Sequence, residues 1–392
     1  MLCIGVVLLV LFYTSREQEW GLGNGQNKTA DYPKLRLSHL AAACLVSLVL
    51  ISISGVGGNG FQNSDWLKHN SILKDLIEKP WPVIYQIGET DALLVYYLAY
   101  YLPDSSNVTL LFWVPNQALA GWIASGLFVG SFLHSSTRKL ALFNYSLTTL
   151  WSPFVTIGLI PYIAVDFWQG ERNWARRLRK YISIPNLCGI DIMLVVGLFY
   201  SAKLYEISPL LTGDIPHGFS LSFVKDTQAK LIGLVLMLVF CLLEFGLFCM
   251  LVFSTNRNWD SKSKTLFFTT LICLSLLPLY RYGGSNDFVM RTSIPALFIL
   301  AVLWSRTLDL KSVNILQRVF LVVLILLGSV TVMVEFRRHI AGILEAGTIL
   351  QTPPVDQVAS LWNPWVDKSG SIILQYIGSL QVPFFRFMTR KH

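Results

Sequence analysis

Two short polar stretches hold the residues whose types and spacing could do chemistry. The first, Asn63-Ser64-Asp65-Trp66-Leu67-Lys68-His69-Asn70, runs on through Ile72, Leu73, Leu76 and Ile77 to Pro80-Trp81-Pro82. Its spacing predicts a short amphipathic helix over 64–80, with Ser64 as cap, Asp65 at the positive end of the helix dipole and Pro80 as terminator. On such a helix Asp65 and His69 share a face, as do Trp66 and Asn70. A carboxylate there can act as general base toward a hydroxyl, while the imidazole tunes it or binds phosphate. A plainer reading fits the same residues: Asp65 caps the helix, His69 is solvated and the aromatics lie among lipid headgroups.

The second stretch is Tyr280-Arg281-Tyr282-Gly283-Gly284-Ser285-Asn286-Asp287-Phe288-Val289-Met290-Arg291, followed at once by an apolar run. A guanidinium at the head of a membrane helix is costly unless it is paired or reaches the interface. Asp287, one turn earlier, is the obvious partner for Arg291. The functional alternative has Arg281 or Arg291 holding a lipid phosphate or pyrophosphate, which Arg matches well in geometry. Gly283-Gly284 permits close backbone approach but is no phosphate-loop fingerprint. Asp191 and Glu244 stand alone in apolar runs. They fit an ion or proton path, and fit better as carboxylates hydrogen-bonded between helices. His134, His217 and His339 read as interfacial. The six cysteines all lie in apolar segments, with no Cys-x-x-Cys pair and no histidine at metal-ligand spacing, so they read as packing residues, and neither a metal nor a cofactor is expected.

The elements that must position these groups follow from composition. Of 392 residues, 53% are hydrophobic and 14% charged, and the mean hydropathy is +0.54. A soluble chain carries about a quarter charged residues, so this is read as an all-α polytopic membrane protein, not a soluble nucleotide enzyme or a disulfide scaffold. The net charge of +8 does not indicate nucleic acid, because the basic residues sit in short loops between apolar runs. Since roughly twenty apolar residues cross a bilayer, ten runs are candidate helices: 2–14, 39–57, 92–103, 109–134, 143–166, 182–203, 229–254, 265–280, 289–305 and 318–336. The first lacks a basic start and a clean cleavage site, which argues against a removable signal peptide. The run 92–103 is short and tyrosine-rich, so a re-entrant or interfacial segment is its alternative.

If every run crosses, the loops 15–38, 167–181, 255–264 and 306–317 share one side and carry fourteen basic residues, against seven in 58–91, 135–142, 204–228 and 281–288. The positive-inside rule places the first set in the cytoplasm. Loops 58–91 and 281–288 then face the same extracytoplasmic side and could build one site. Residues 1–336 form one membrane domain, and 337–392 a tail whose Trp362, Trp365, Phe384, Phe385 and Phe387 read as an interfacial anchor.

Four stretches resemble an uncharacterised family of bacterial polytopic membrane proteins: Asp65-Trp66 with Lys68-His69-Asn70; Leu94 to Pro103; Leu111-Phe-Trp-Val-Pro115 with Ala118-Leu119 and Gly121-Trp122; and Asn286-Asp287 with Met290-Arg291 and Ser293-Ile-Pro-Ala296. The resemblance implies a bacterial inner-membrane location. The layout is also similar to membrane glycosyltransferases of the GT-C type, in which an acid in the first extracytoplasmic loop is the base and the sugar comes from a polyprenyl phosphate. That similarity implies Asp65 as base, and it implies membrane lipids and a lipid-linked sugar donor as partners. With it, His69 joins Asp65 in the catalytic set, while Asn70, Trp66, Arg281, Asp287 and Arg291 bind substrate. The chain departs from the uncharacterised family in two places. Ser106-Asn107-Val108-Thr109 follows Pro103 almost at once, where the family has a longer membrane stretch, and Gln117 stands where it tends to have histidine. Two other classes fit the same residues: a transporter or lipid flippase using Asp191, Glu244 and Arg291, and an assembly subunit without chemistry.

Overall fold

A computed structural model describes residues 62, 64–79, 83–87, 90–94, 115–134, 140–169, 173–201, 217–255, 259–282, 287–305, 314–347, 360 and 377–379. The candidate helices 2–14 and 39–57, the segment 95–114, the Gly283-Gly284 turn and the aromatic tail residues lie outside these. Helix α1 (Ser64–Glu78) precedes strands β1 (Ile84–Ile87) and β2 (Thr90–Leu94). The central bundle runs α2 (Pro115–His134), α3 (Ala141–Trp151), α4 (Pro153–Trp168), α5 (Trp174–Tyr181) and α6 (Ile184–Tyr200). Strand β3 (His217–Phe219) leads to α7 (Thr227–Thr255) and α8 (Ser261–Leu279). After β4 (Tyr280–Tyr282) come α9 (Asp287–Thr292), α10 (Ile294–Ser305), α11 (Ile315–Ala346) and β5 (Ile377–Ser379).

The described chain is predominantly helical, with two small antiparallel sheets, β1-β2-β5 and β3-β4. Two helices, α7 and α8, are long and apolar enough to cross a membrane, and α5 with α6 makes a third if counted through the 82° bend between them. At about 1.5 Å per residue the 19 residues of α8 span close to the roughly 30 Å of a hydrocarbon core. Helices α2, α4 and α10 contain shorter apolar stretches.

Local chemistry explains the breaks. Ser152 is extended and accepts from the Val155 amide, with Pro153 as first helical residue, so α3 ends and α4 begins there. Ser183 caps α6 in the same way ahead of Pro185. Asp226 caps α7 and Asp260 caps α8. Asn314 and Gln317 form a capping box on α11, which stops at Gly347 in the left-handed region, φ 66°.

Packing depends on small residues, as expected where lipid removes the hydrophobic drive between helices. Gly121 lies against Ile294, Gly158 against the Thr292 carbonyl, and Gly189 against the backbone of Leu142 and Phe143. Around them Trp122, Phe132, Tyr162, Ile294 and Ile299 are fully buried, and the Tyr162 hydroxyl pairs with Thr270 Oγ1 at 3.0 Å.

Several expectations change. The run 143–166 is not one span: α3 and α4 meet at Ser152 and fold back on each other. Asn186 Oδ1 accepts from the Leu142 and Phe143 amides at the start of α3, while its Nδ2 donates to the Tyr181 carbonyl. Tyr181 in turn donates to Asp166 near the end of α4. The start of α3, the end of α4 and Tyr181 therefore share one end of the bundle. Leu140 lies with 167–181, not opposite it. The run 92–103 opens as strand, since Ala92–Leu94 belong to β2 and pair with Ile377–Ser379. The tail is thus not merely an aromatic anchor; part of it completes a sheet. Asp191 and Glu244 are exposed on the described helices rather than packed between them, and His339 is fully buried rather than interfacial.

Strand β3 pairs with β4, joining His217–Phe219 to Tyr280–Tyr282. At the other end Gln169 donates to Thr265 at 3.2 Å and Gln317 to Ser254 at 3.4 Å, joining the end of α4 to the start of α8 and the end of α7 to the start of α11.

Candidate functional site

Helix α1 forms where the polar spacing predicts it, beginning at Ser64 itself. Asp65 and His69 are one turn apart on it. The rings of Trp66 and His69 approach to 5.6 Å between centroids, and Asn70 Nδ2 donates to Gln62 Oε1 at 3.0 Å. Trp66, His69 and Asn70 are half-buried. The helix is held by a different carboxylate. Asp75, 1% exposed, accepts from the Tyr85 hydroxyl at 2.7 Å and Ser360 Oγ at 2.9 Å, and its other oxygen meets Lys79 Nζ at 3.2 Å. Lys79 also donates to Ser360 and lies 4.4 Å over the Tyr85 ring. Burial pushes the Tyr85 phenol well above its ordinary range, and the hydrogen bond to Asp75 adds to this. Helix, sheet and tail are thus locked through one buried carboxylate whose oxygens are occupied, which makes Asp75 a structural group.

The second stretch sits at the Tyr282 end of the bundle. Arg281, opposite Gly218 in the β3-β4 ladder, holds its guanidinium 5.5 Å from the Phe223 ring centroid. The Tyr282 and Phe288 rings pack on Phe154, and the Tyr280 ring packs on Phe288 and Phe219. Arg291 is half-buried in the last turn of α9, one turn after Asp287, the spacing a pair needs. The two arginines and Asp287 are brought to one end, and Asp65, Trp66, His69 and Asn70 to one helix. Among the described residues, α1 is tied to Gln62, Tyr85 and Ser360, and the rings of Tyr280, Tyr282 and Phe288 pack with Phe154 and Phe219.

Elsewhere, at the Tyr181 end, lies a small cleft of about 20 Å³, room for roughly one water. Ser131, Asn144, Tyr145, Asp166 and Tyr181 supply its polar wall, and Phe128, Leu159 and Ile163 part of its apolar one. Tyr181 donates to Asp166 across it at 2.5 Å. Spacing gave no sign of this cavity or of Asp75, because each joins residues from separate elements. The Ser-Pro pair at 152–153 was the available clue to the helix break behind the cavity. Among the described residues no group of three His, Cys, Asp or Glu could hold a metal ion.

The chain matches no protein-family model, no curated protein and no solved structure.

Proposed function

We propose that the chain is a multi-pass protein of the bacterial inner membrane that transfers a sugar from a polyprenyl-phosphate-linked donor at the extracytoplasmic face. Asp65 takes the proton from an acceptor hydroxyl as that oxygen bonds to the anomeric carbon. The bond from that carbon to the phosphate oxygen breaks, and the polyprenyl phosphate leaves with the electron pair. Arg281 and Arg291, the latter oriented by Asp287, stabilise the departing phosphate. His69 and Asn70 orient the acceptor against Trp66. What supports the reading is one observation: α1 is an anchored surface helix carrying Asp65 and His69 one turn apart. An anchored helix is a suitable platform for general-base chemistry. The test is Asp65→Asn in the full chain, which abolishes sugar transfer from a polyprenyl-phosphate donor while insertion and melting stay unchanged. Full turnover in that variant ends the reading.

A transport reading draws on a different observation. Glu244 sits in a π-helical turn, Leu242–Gly246, within α7, and such turns are often found at functional sites. Loss of transport in Glu244→Gln, with Asp65→Asn unaffected, would favour it over sugar transfer.

A further inference from the structure

Helix α5, Trp174-Ala-Arg-Arg-Leu-Arg-Lys-Tyr181, carries four basic residues in eight and no acidic one. Its axis turns by 82° into α6. With α6 along the membrane normal, α5 therefore lies nearly in the membrane plane. Its polar bonds and ring contacts hold it there, and a cap fixes its start. Tyr181 bonds Asp166 through its hydroxyl and Asn186 through its carbonyl. Its ring and that of Trp174 both pack on Phe167, at 5.6 and 5.2 Å between centroids. Asn173 caps the start by accepting from the Ala175 and Arg176 amides.

At helical spacing Trp174, Leu178 and Tyr181 form one stripe, and Arg176, Arg179 and Lys180 form the opposite one. Arg176 and Arg179 are exposed, while Arg177 stacks over the Trp168 ring at 5.0 Å. Trp168, Trp174, Ile182 and Ile184 form an apolar rim, with Ile184 80% exposed. Exposed tryptophans beside a basic helix mark a headgroup boundary.

A basic edge over an apolar rim, set in the plane of that boundary, complements one kind of surface. We propose that α5 binds anionic phospholipid of the leaflet at the Tyr181 end, with Arg176 and Arg179 on headgroup phosphates and Trp174, Ile182 and Ile184 in the glycerol and upper acyl region. The inference rests on the membrane-spanning reading but not on sugar transfer, and it concerns the end of the bundle opposite Arg281. Basic residues near an anionic leaflet each strengthen binding by about fivefold.

The test uses the full chain in nanodiscs of mixed phosphatidylcholine and phosphatidylglycerol. Retained lipids are counted by native mass spectrometry after partial delipidation in detergent. The wild-type chain retains phosphatidylglycerol preferentially. Arg176→Gln with Arg179→Gln weakens that preference by about fivefold per charge removed, the paired Lys replacements keep most of it, and Lys225→Gln at the other end leaves it intact. A wild type without preference, a preference surviving the Gln pair, or equal protection of the site by inorganic phosphate alone would each overturn the proposal. A chain that fails to enter nanodiscs would overturn the membrane reading with it.

Discussion

At the level of single residues, the two aspartates of α1 differ in kind. Asp65 lies in the first turn, whereas Asp75 is sealed against a partner 285 residues away in the chain. Nothing in local spacing separates Asp75 from Lys74, Glu78 and Lys79, because its burial is created by Tyr85 and Ser360. The helix that carries Asp65 and His69 could be read from sequence, and the lock that holds it could not. A hydrogen bond to a charged buried group is worth about 1.5–3 kcal/mol, so Tyr85→Phe should weaken the α1–sheet unit by about that amount. Faster amide exchange across Ala92–Leu94 would register the loss; unchanged exchange would mean Ser360 and Lys79 suffice. The pH dependence has a definite sign. The folded Tyr85 phenol is raised above an unfolded value of about 10, so its contribution is complete below about pH 10 and is lost as pH rises beyond it. Alkaline opening of the unit should be seen in wild type and be weaker in Tyr85→Phe.

Elements were legible wherever a helix is long and uniformly apolar. The runs 182–203, 229–254 and 265–280 correspond to α6, α7 and α8, displaced at each end by a few residues. The pattern failed where the period changes without a polar interruption. Leu150-Trp151-Ser152-Pro153-Phe154 stays apolar enough to read as one span, yet its serine and proline turn the chain back. Strands β1 and β2 owe their existence to each other and to β5 far along the chain, a non-local pairing with no local periodic signal. The glycines at helix crossings can be tested directly. A Cβ at Gly158 would collide with the Thr292 carbonyl, whereas one at Gly130 would meet nothing within 4 Å. Gly158→Ala should therefore cost about 1–3 kcal/mol through overpacking. Gly130→Ala should gain about 0.5–1 kcal/mol from helix propensity. Thermal unfolding in detergent distinguishes them, and equal melting points would refute the close crossing of α4 and α9.

For the whole molecule, the folding back of α3 on α4 decides which loops share a side. Simple alternation of ten spans puts 135–142 opposite 167–181. The bonds from Asn186 to Leu142, Phe143 and Tyr181 put the start of α3 beside Tyr181 instead. Beyond α6, β3 and β4 close one end while Gln169–Thr265 and Ser254–Gln317 close the other. On the proposed membrane-spanning reading, the Tyr282 end and the basic Tyr181 end stand at opposite membrane faces. In a background without the native cysteines, Leu140→Cys and Ala175→Cys should react with an impermeant thiol reagent from the same side, and Ser222→Cys from the other; all three positions are exposed. Labelling of Leu140→Cys together with Ser222→Cys would restore the uninterrupted span over 143–166 and detach the Asp166–Tyr181 cavity from the basic helix. Labelling of all three from one face would mean that β3 and α5 do not stand on opposite sides of a bilayer. In that case neither the arginines proposed to hold the donor phosphate nor those proposed to bind lipid would have the leaflet each requires.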